Sequence, residues 1–212
     1  MPSVSSSRKY EIILTGGALF LAIGVGAFFL LEGPRQKPRP VVTWFEFTSP
    51  DRAFTMSFPH GEPVSGELLA VLSGKDNKVL MEKEAEIKKA GVVTKAWSST
   101  HASSRYIAGY MQFPTRVAHL TTPAHLLKEF EKEHPVGSVV NGETCVECMQ
   151  TSFAGKPAVR CVIEVGQGNF KAHQTAYVFA VIGRLYYVVY EGQLVTPEDP
   201  LVAEFFGKFK MN

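Results

Sequence analysis

The chain has 212 residues, and its 22 basic and 20 acidic side chains leave a net charge of only +2, which gives no electrostatic footprint for nucleic acid. Outside a short N-terminal segment, about 170 residues suffice for one domain with its own core, without an obligatory metal or disulfide staple. Aromatic residues at 11%, with frequent β-branched ones, favour strands.

Residues 1–11 form a short polar tail with Arg8, Lys9 and Glu11. The next twenty residues, Ile12 to Leu31, carry no charge. At ~1.5 Å per residue they span ~30 Å as a helix, the thickness of a bilayer's hydrocarbon core. A cleaved secretory signal would have a shorter apolar run ending in a small-x-small site, which Ala27-Phe-Phe-Leu-Leu-Glu32 lacks. The expectation is a single-pass signal anchor in membrane lipid. Ala18, Ala22 and Gly26 share one face of this helix and offer a surface for a homodimer through the anchor. Arg8 and Lys9 on one side oppose Arg35, Lys37 and Arg39 on the other, a count that leans toward a cytoplasmic domain. A short basic tail held inside with the domain exported is the common arrangement for a leading anchor, and it is the one expected here.

Residues 32–42 are a Pro-rich basic stalk, extended and semi-rigid, whose charges serve solvation or contact with lipid headgroups. The soluble domain is expected over 43–212. Trp44 to Phe47 and the alternating Phe54, Met56 and Phe58 predict a hairpin around Ser49-Pro50-Asp51. Leu68 to Leu72 reads as a further strand. Asn77 to Lys89 reads as a solvated helix or an excursion, with Glu84 and Lys88 spaced for an i,i+4 pair and Gly91 just past the end. Val92–Thr100 and Arg105–Phe113 predict two long strands, with Tyr106 and Tyr110 on one face and Ile107, Met111 and Phe113 on the other. Thr122-Pro123 opens a short helix with Leu126, Leu127 and Phe130 as its apolar face, closed by His134-Pro135. Four strands follow, about 143–153, 157–165, 169–181 and 184–191, and then a helix entered through Thr196-Pro197-Glu198-Asp199, with Leu201, Val202, Phe205 and Phe206 buried and Gly207 at its end. The class is α+β: an antiparallel sheet flanked by two or three short helices and preceded by one transmembrane helix.

Cys145-Val-Glu-Cys148, with Cys161 and His173, invites a metal or thiol-redox reading. Only one C-x-x-C pair is present, and residues three apart in a strand point to opposite faces, which argues against it. If Ala154-Gly155 is a two-residue turn, Cys148 falls directly opposite Cys161 and a disulfide is geometrically open; a Gly155-Lys156 turn removes that pairing. Buried unpaired thiols are the plainer alternative, and a bridge makes sense only in an oxidising compartment. The six histidines are scattered, and no nucleophile elbow, phosphate loop or dinucleotide fingerprint occurs. No catalytic residue, metal ligand or cofactor site is assigned.

Trp44…Phe47-Thr-Ser-Pro-Asp51…Phe54-Thr-Met-Ser-Phe-Pro59, Gly155-Lys-Pro-Ala158, Gly183-Arg-Leu-Tyr186 and the closing Phe205…Phe209-Lys210 resemble uncharacterised membrane-anchored bacterial proteins with a PsbP-like domain. Gly155-Lys-Pro-Ala158 departs from the Pro-Gly of that pattern. The resemblance implies an antiparallel sheet flanked by helices and a binding or scaffolding role beside a membrane complex, and it carries over no catalytic residues. The functional expectation is a membrane-tethered, non-enzymatic module of the cell envelope with an extracytoplasmic domain and a protein partner. The alternative is a metal-binding or thiol-redox protein using the Cys145/Cys148/Cys161 region.

Overall fold

Strand-forming alternation dominates the chain, and the computed structural model describes it over residues 42–68, 71, 78–118, 122–133, 135–140, 143–165, 172–192 and 199–212. The anchor Ile12–Leu31, its face Ala18, Ala22 and Gly26, and the stalk up to residue 41 lie outside the described residues. Among the described residues no helix is long and apolar enough to cross a membrane.

β1 (Trp44–Thr48) and β2 (Phe54–Pro59) form the expected hairpin, with Phe47 opposite Met56. Arg52 N–H closes its turn on the Ser49 carbonyl at 2.7 Å, and the Ser49 hydroxyl accepts from Ala53 N–H at 2.8 Å. The hairpin belongs to a small sheet of its own, β1-β2-β11, completed by the two-residue β11 (Lys210–Met211). All other strands join one antiparallel sheet of order β3-β4-β5-β10-β9-β8-β7-β6. They are β3 (Val64–Gly66), β4 (Val93–His101), β5 (Ser104–Gln112), β6 (Val139–Val140), β7 (Glu143–Phe153), β8 (Lys156–Val165), β9 (Ala172–Val181) and β10 (Arg184–Gly192).

Both faces of the large sheet are covered, which is why β10 reads as a nearly unbroken apolar run. Ile107, Met111, Val178 and Tyr187 point to the face packed by α1 (Lys78–Lys89), α2 (Thr115–Ala118) and α3 (Pro123–Glu133), through Ile87, Val117, Leu126, Leu127 and Phe130. Tyr106, Tyr110, Phe179 and Val188 point the other way, onto β2 and α4 (Pro200–Gly207). Asp199 caps α4, accepting from Leu201 N–H at 2.9 Å with Pro200 in the first turn. Thr196, Pro197 and Glu198 lie outside the described residues, as does His134. The small sheet is tied down at its turn: Tyr110 donates to Asp51 Oδ2 at 2.8 Å, and Arg184 approaches the same oxygen at 3.1 Å.

Two local expectations are corrected. The strand expected at Leu68–Leu72 is displaced to Val64–Gly66, and Leu68 and Val71 are helical, with Val71 N–H bonded to the Glu67 carbonyl at 2.9 Å. Leu68-Leu-Ala-Val-Leu72 is an unbroken apolar run, which fits a helical turn as well as a buried strand. Residues 78–89 do form a helix, but Lys88 pairs with Glu67 from outside α1 where an i,i+4 pair with Glu84 was expected.

Glu84 is buried beside Ile87, accepts from the Thr94 hydroxyl at 3.4 Å and lies against the Glu67 carboxylate. Burial, then a hydrogen bond with Glu67 and the charge of that carboxylate, raise its pKa to about 7. The folded state thus holds a proton that the unfolded chain releases near pH ~4.3, so stability present at low pH is lost as pH rises toward 7. Glu84→Gln is expected to add about 1–2 kcal/mol at pH 8 and to flatten that slope, read from denaturant midpoints between pH 5 and 8.

Candidate functional site

The cross-strand register lines up Thr100, Arg105, Glu191, Gln174, Ile163 and Cys145 as one row over β4, β5, β10, β9, β8 and β7. Directly paired residues share a face, and Ile163 belongs to the core under the helices, so the whole row lies on the helix face. Alternation puts Arg105, Gln174 and Glu191 in phase with the apolar Ile107, Ala176 and Val189, positions where a buried face ordinarily carries hydrocarbon.

Glu191 is 5% exposed and Gln174 1% exposed. Arg105 donates to Glu191 Oε2 from Nε at 3.1 Å and from Nη2 at 2.7 Å. Burial pushes the Glu191 carboxyl up, and the guanidinium beside it pulls in the opposite direction. Both amide atoms of Gln174, Nε2 and Oε1, are buried without a hydrogen-bond partner. Thr175 Oγ1 and His101 Nε2, at the same end of the sheet, are buried and unpartnered as well. Four of the five such atoms among the described residues therefore collect at one end of the fold, and native proteins leave few such groups without a reason.

The opposite face of that end is aromatic. The Tyr190 hydroxyl lies 2.8 Å from Ser104 Oγ, and the Tyr190 ring meets Tyr106 edge-on at 5.2 Å. Gly192 makes room for this, since a Cβ there would sit 2.1 Å from the Tyr190 oxygen. Near the β4–β5 turn His60 stacks on His101 with ring centroids 3.9 Å apart, and His60 takes a left-handed backbone (φ 59°) to reach it. Burial, then the neighbouring imidazole, hold His101 below the usual histidine range.

The cysteines sit beside the polar row. Ala154 (φ 48°) and Gly155 (φ 72°) form the two-residue turn, with Phe153 opposite Lys156, and from there the register runs straight to Cys148 opposite Cys161. Their Cα atoms are 4.1 Å apart and the sulfurs are joined as a disulfide. Cys145 departs from expectation. A bulge between Cys145 and Glu147 inserts one residue into β7, so Cys145 faces Ile163 while Cys148 faces Cys161. The partners are two apart, so Cys145 and Cys148 point to the same face, and the alternation argument for opposite faces fails here. Cys145 is a buried thiol outside the disulfide, and burial pushes its pKa up. Among the described residues no group of three His, Cys, Asp or Glu side chains is arranged to hold a metal ion.

Arg105, Gln174 and Glu191 are not marked by any motif. The available signal was phase: each is polar where its strand's alternation requires an apolar side chain. What the row offers chemically is hydrogen bonding in a dry environment. It contains a neutralised carboxylate, a guanidinium and an amide with both valences open.

No family model matches the chain, and no curated protein matches it. A solved structure from Pseudomonas aeruginosa, a protein of unknown function, aligns with 77% of this chain and 86% of its own at 7% identity and a TM-score of 0.29, a likeness too slight to carry an argument.

Proposed function

We propose that the chain is a single-pass, membrane-anchored, non-enzymatic binding or scaffolding module of the cell envelope, with the domain 43–212 on the extracytoplasmic side. The observation that carries this is the uncharged run Ile12–Leu31, long enough to span a bilayer and followed by a stalk that holds the domain off the surface. The Cys148–Cys161 disulfide supports the exported orientation, because such bonds persist in oxidising compartments. The resemblance to PsbP-like membrane-anchored proteins favours a protein partner beside a membrane complex, and Ala18, Ala22 and Gly26 favour self-association within lipid.

Full-length protein is expected to stay with membranes through alkaline carbonate washing, and its domain to be digested by protease added to cells whose outer barrier has been opened. Release by carbonate, or a domain protected until the inner membrane is lysed, contradicts the proposal.

A thiol-based reading has one specific observation in its favour, the bulge that turns Cys145 to the face of Cys148 and Cys161. The raised Cys145 pKa weighs against it, since the thiolate is the nucleophile and the metal ligand. Zinc content and thiol titration of the purified protein separate the two readings.

A further inference from the structure

We propose that Gln174 and Glu191 form a buried binding site for a small, neutral molecule bearing a primary carboxamide or an equivalent edge with an N–H beside a C=O. The two residues are direct cross-strand partners on the helix face of the large sheet. Direct partners bring their Cβ atoms to ~5 Å, so the amide and the carboxylate project side by side.

The polar valences define the ligand. The Gln174 amide has a donor and an acceptor in one plane, both without partners in a side chain 1% exposed. Arg105 bonds Glu191 at Oε2 from both Nε and Nη2, and Oε1 is the oxygen that would take a donor from the ligand. A primary carboxamide matches this set: its carbonyl accepts from Gln174 Nε2, one N–H donates to Gln174 Oε1, and the second N–H donates to Glu191 Oε1. Because Arg105 already neutralises Glu191, the site selects against a cation as well as against an anion, whose charge would meet the carboxylate in a dry setting. Ala172 and Ala176, packed in the core on the same face of β9, are the neighbours of Gln174 along its strand, and their short side chains favour a small ligand.

The energetics explain why such a row persists. An amide buried without partners is destabilising, and an apolar residue in phase with Ala172 and Ala176 would avoid that cost. A bound carboxamide removes the penalty through the contacts that create affinity. The inference is independent of tethering and orientation, since it uses only groups within the large sheet.

The test uses the full-length chain in detergent, 15N-labelled, titrated with propionamide and benzamide, and with methyl propionate and methyl benzoate as shape-matched probes lacking the N–H. The Gln174 side-chain amide signal is assigned by its absence from Gln174→Leu. The expected result is saturable displacement of that signal by an amide, with Kd on the order of 1 mM for so small a probe, no displacement by the esters, and at least a tenfold loss of benzamide affinity in Gln174→Leu. Glu191→Gln, which keeps the shape while removing the carboxylate, is a second variant and is expected to weaken the same titration. Amides that leave the Gln174 signal unmoved, esters that move it equally, or a folded Gln174→Leu that binds benzamide as tightly as the parent each overturn the site and leave a water-filled amide in its place.

Discussion

Phe179→Ala is expected to cost the domain about 3–5 kcal/mol, a large part of the 5–15 kcal/mol that typically separates a folded domain from its unfolded chain. Phe179 is fully buried at the point where the large sheet meets the C-terminal segment. Its ring stacks on Tyr186 with centroids 5.0 Å apart and planes 4° from parallel, and it lies 5.5 Å from both Phe153 and Phe209. Truncation removes one side of three aromatic contacts at once, and neighbours fixed in β7 and β10 cannot collapse into the gap. The measurement is the chemical-denaturation midpoint at fixed slope, with Phe45→Ala on the exposed side of β1 as the comparison, where a change within about 0.5 kcal/mol is expected. Equal effects at the two positions would mean that the small sheet and α4 do not pack on the large sheet as described.

The second large effect comes from the disulfide. Replacing Cys148 and Cys161 together by alanine is expected to destabilise the domain by about 3 kcal/mol, the loop-closure value for a short closed segment, here 13 residues apart. A reductant should lower the parent's unfolding midpoint by a similar amount and leave the double variant unchanged. That comparison isolates the bond from the packing of the two side chains, since reduction keeps both sulfurs in place. A parent whose midpoint is indifferent to reductant would show that the two thiols are not bridged in solution.

Much of the fold was legible because several local signals agreed. The alternation of Phe54, Met56 and Phe58 gave β2, the Tyr106/Tyr110 and Ile107/Met111 phases gave both faces of β5, and the unbroken run at Leu185–Tyr190 marked a strand covered on both sides. The Ala154-Gly155 turn carried the register as far as Cys148 and Cys161. Where signals depend on distant partners, legibility ended. The bulge at Cys145–Glu147 is announced by no glycine or proline, and one inserted residue was enough to reverse the face assigned to Cys145. β1 and β2 form a sheet apart from the main one, completed by β11, two residues at the far end of the chain. The helical turn at Leu68 and Val71 is not legible in the sequence, because a short apolar run fits a helix or a strand. The polar row was visible only as three exceptions to alternation, and single exceptions in an isolated strand carry little weight. It takes the register of β5, β10 and β9 to place Arg105, Glu191 and Gln174 side by side.

The most direct test of an anchored domain facing an oxidising compartment is the thiol state in intact cells, trapped by rapid acid quenching and then alkylated under denaturing conditions before and after reduction. One labelled cysteine before reduction, Cys145, and all three afterwards is the expected result. Three labelled cysteines without reduction, in protein that still fractionates with the membrane, would place the domain on the reducing side and contradict the exported arrangement.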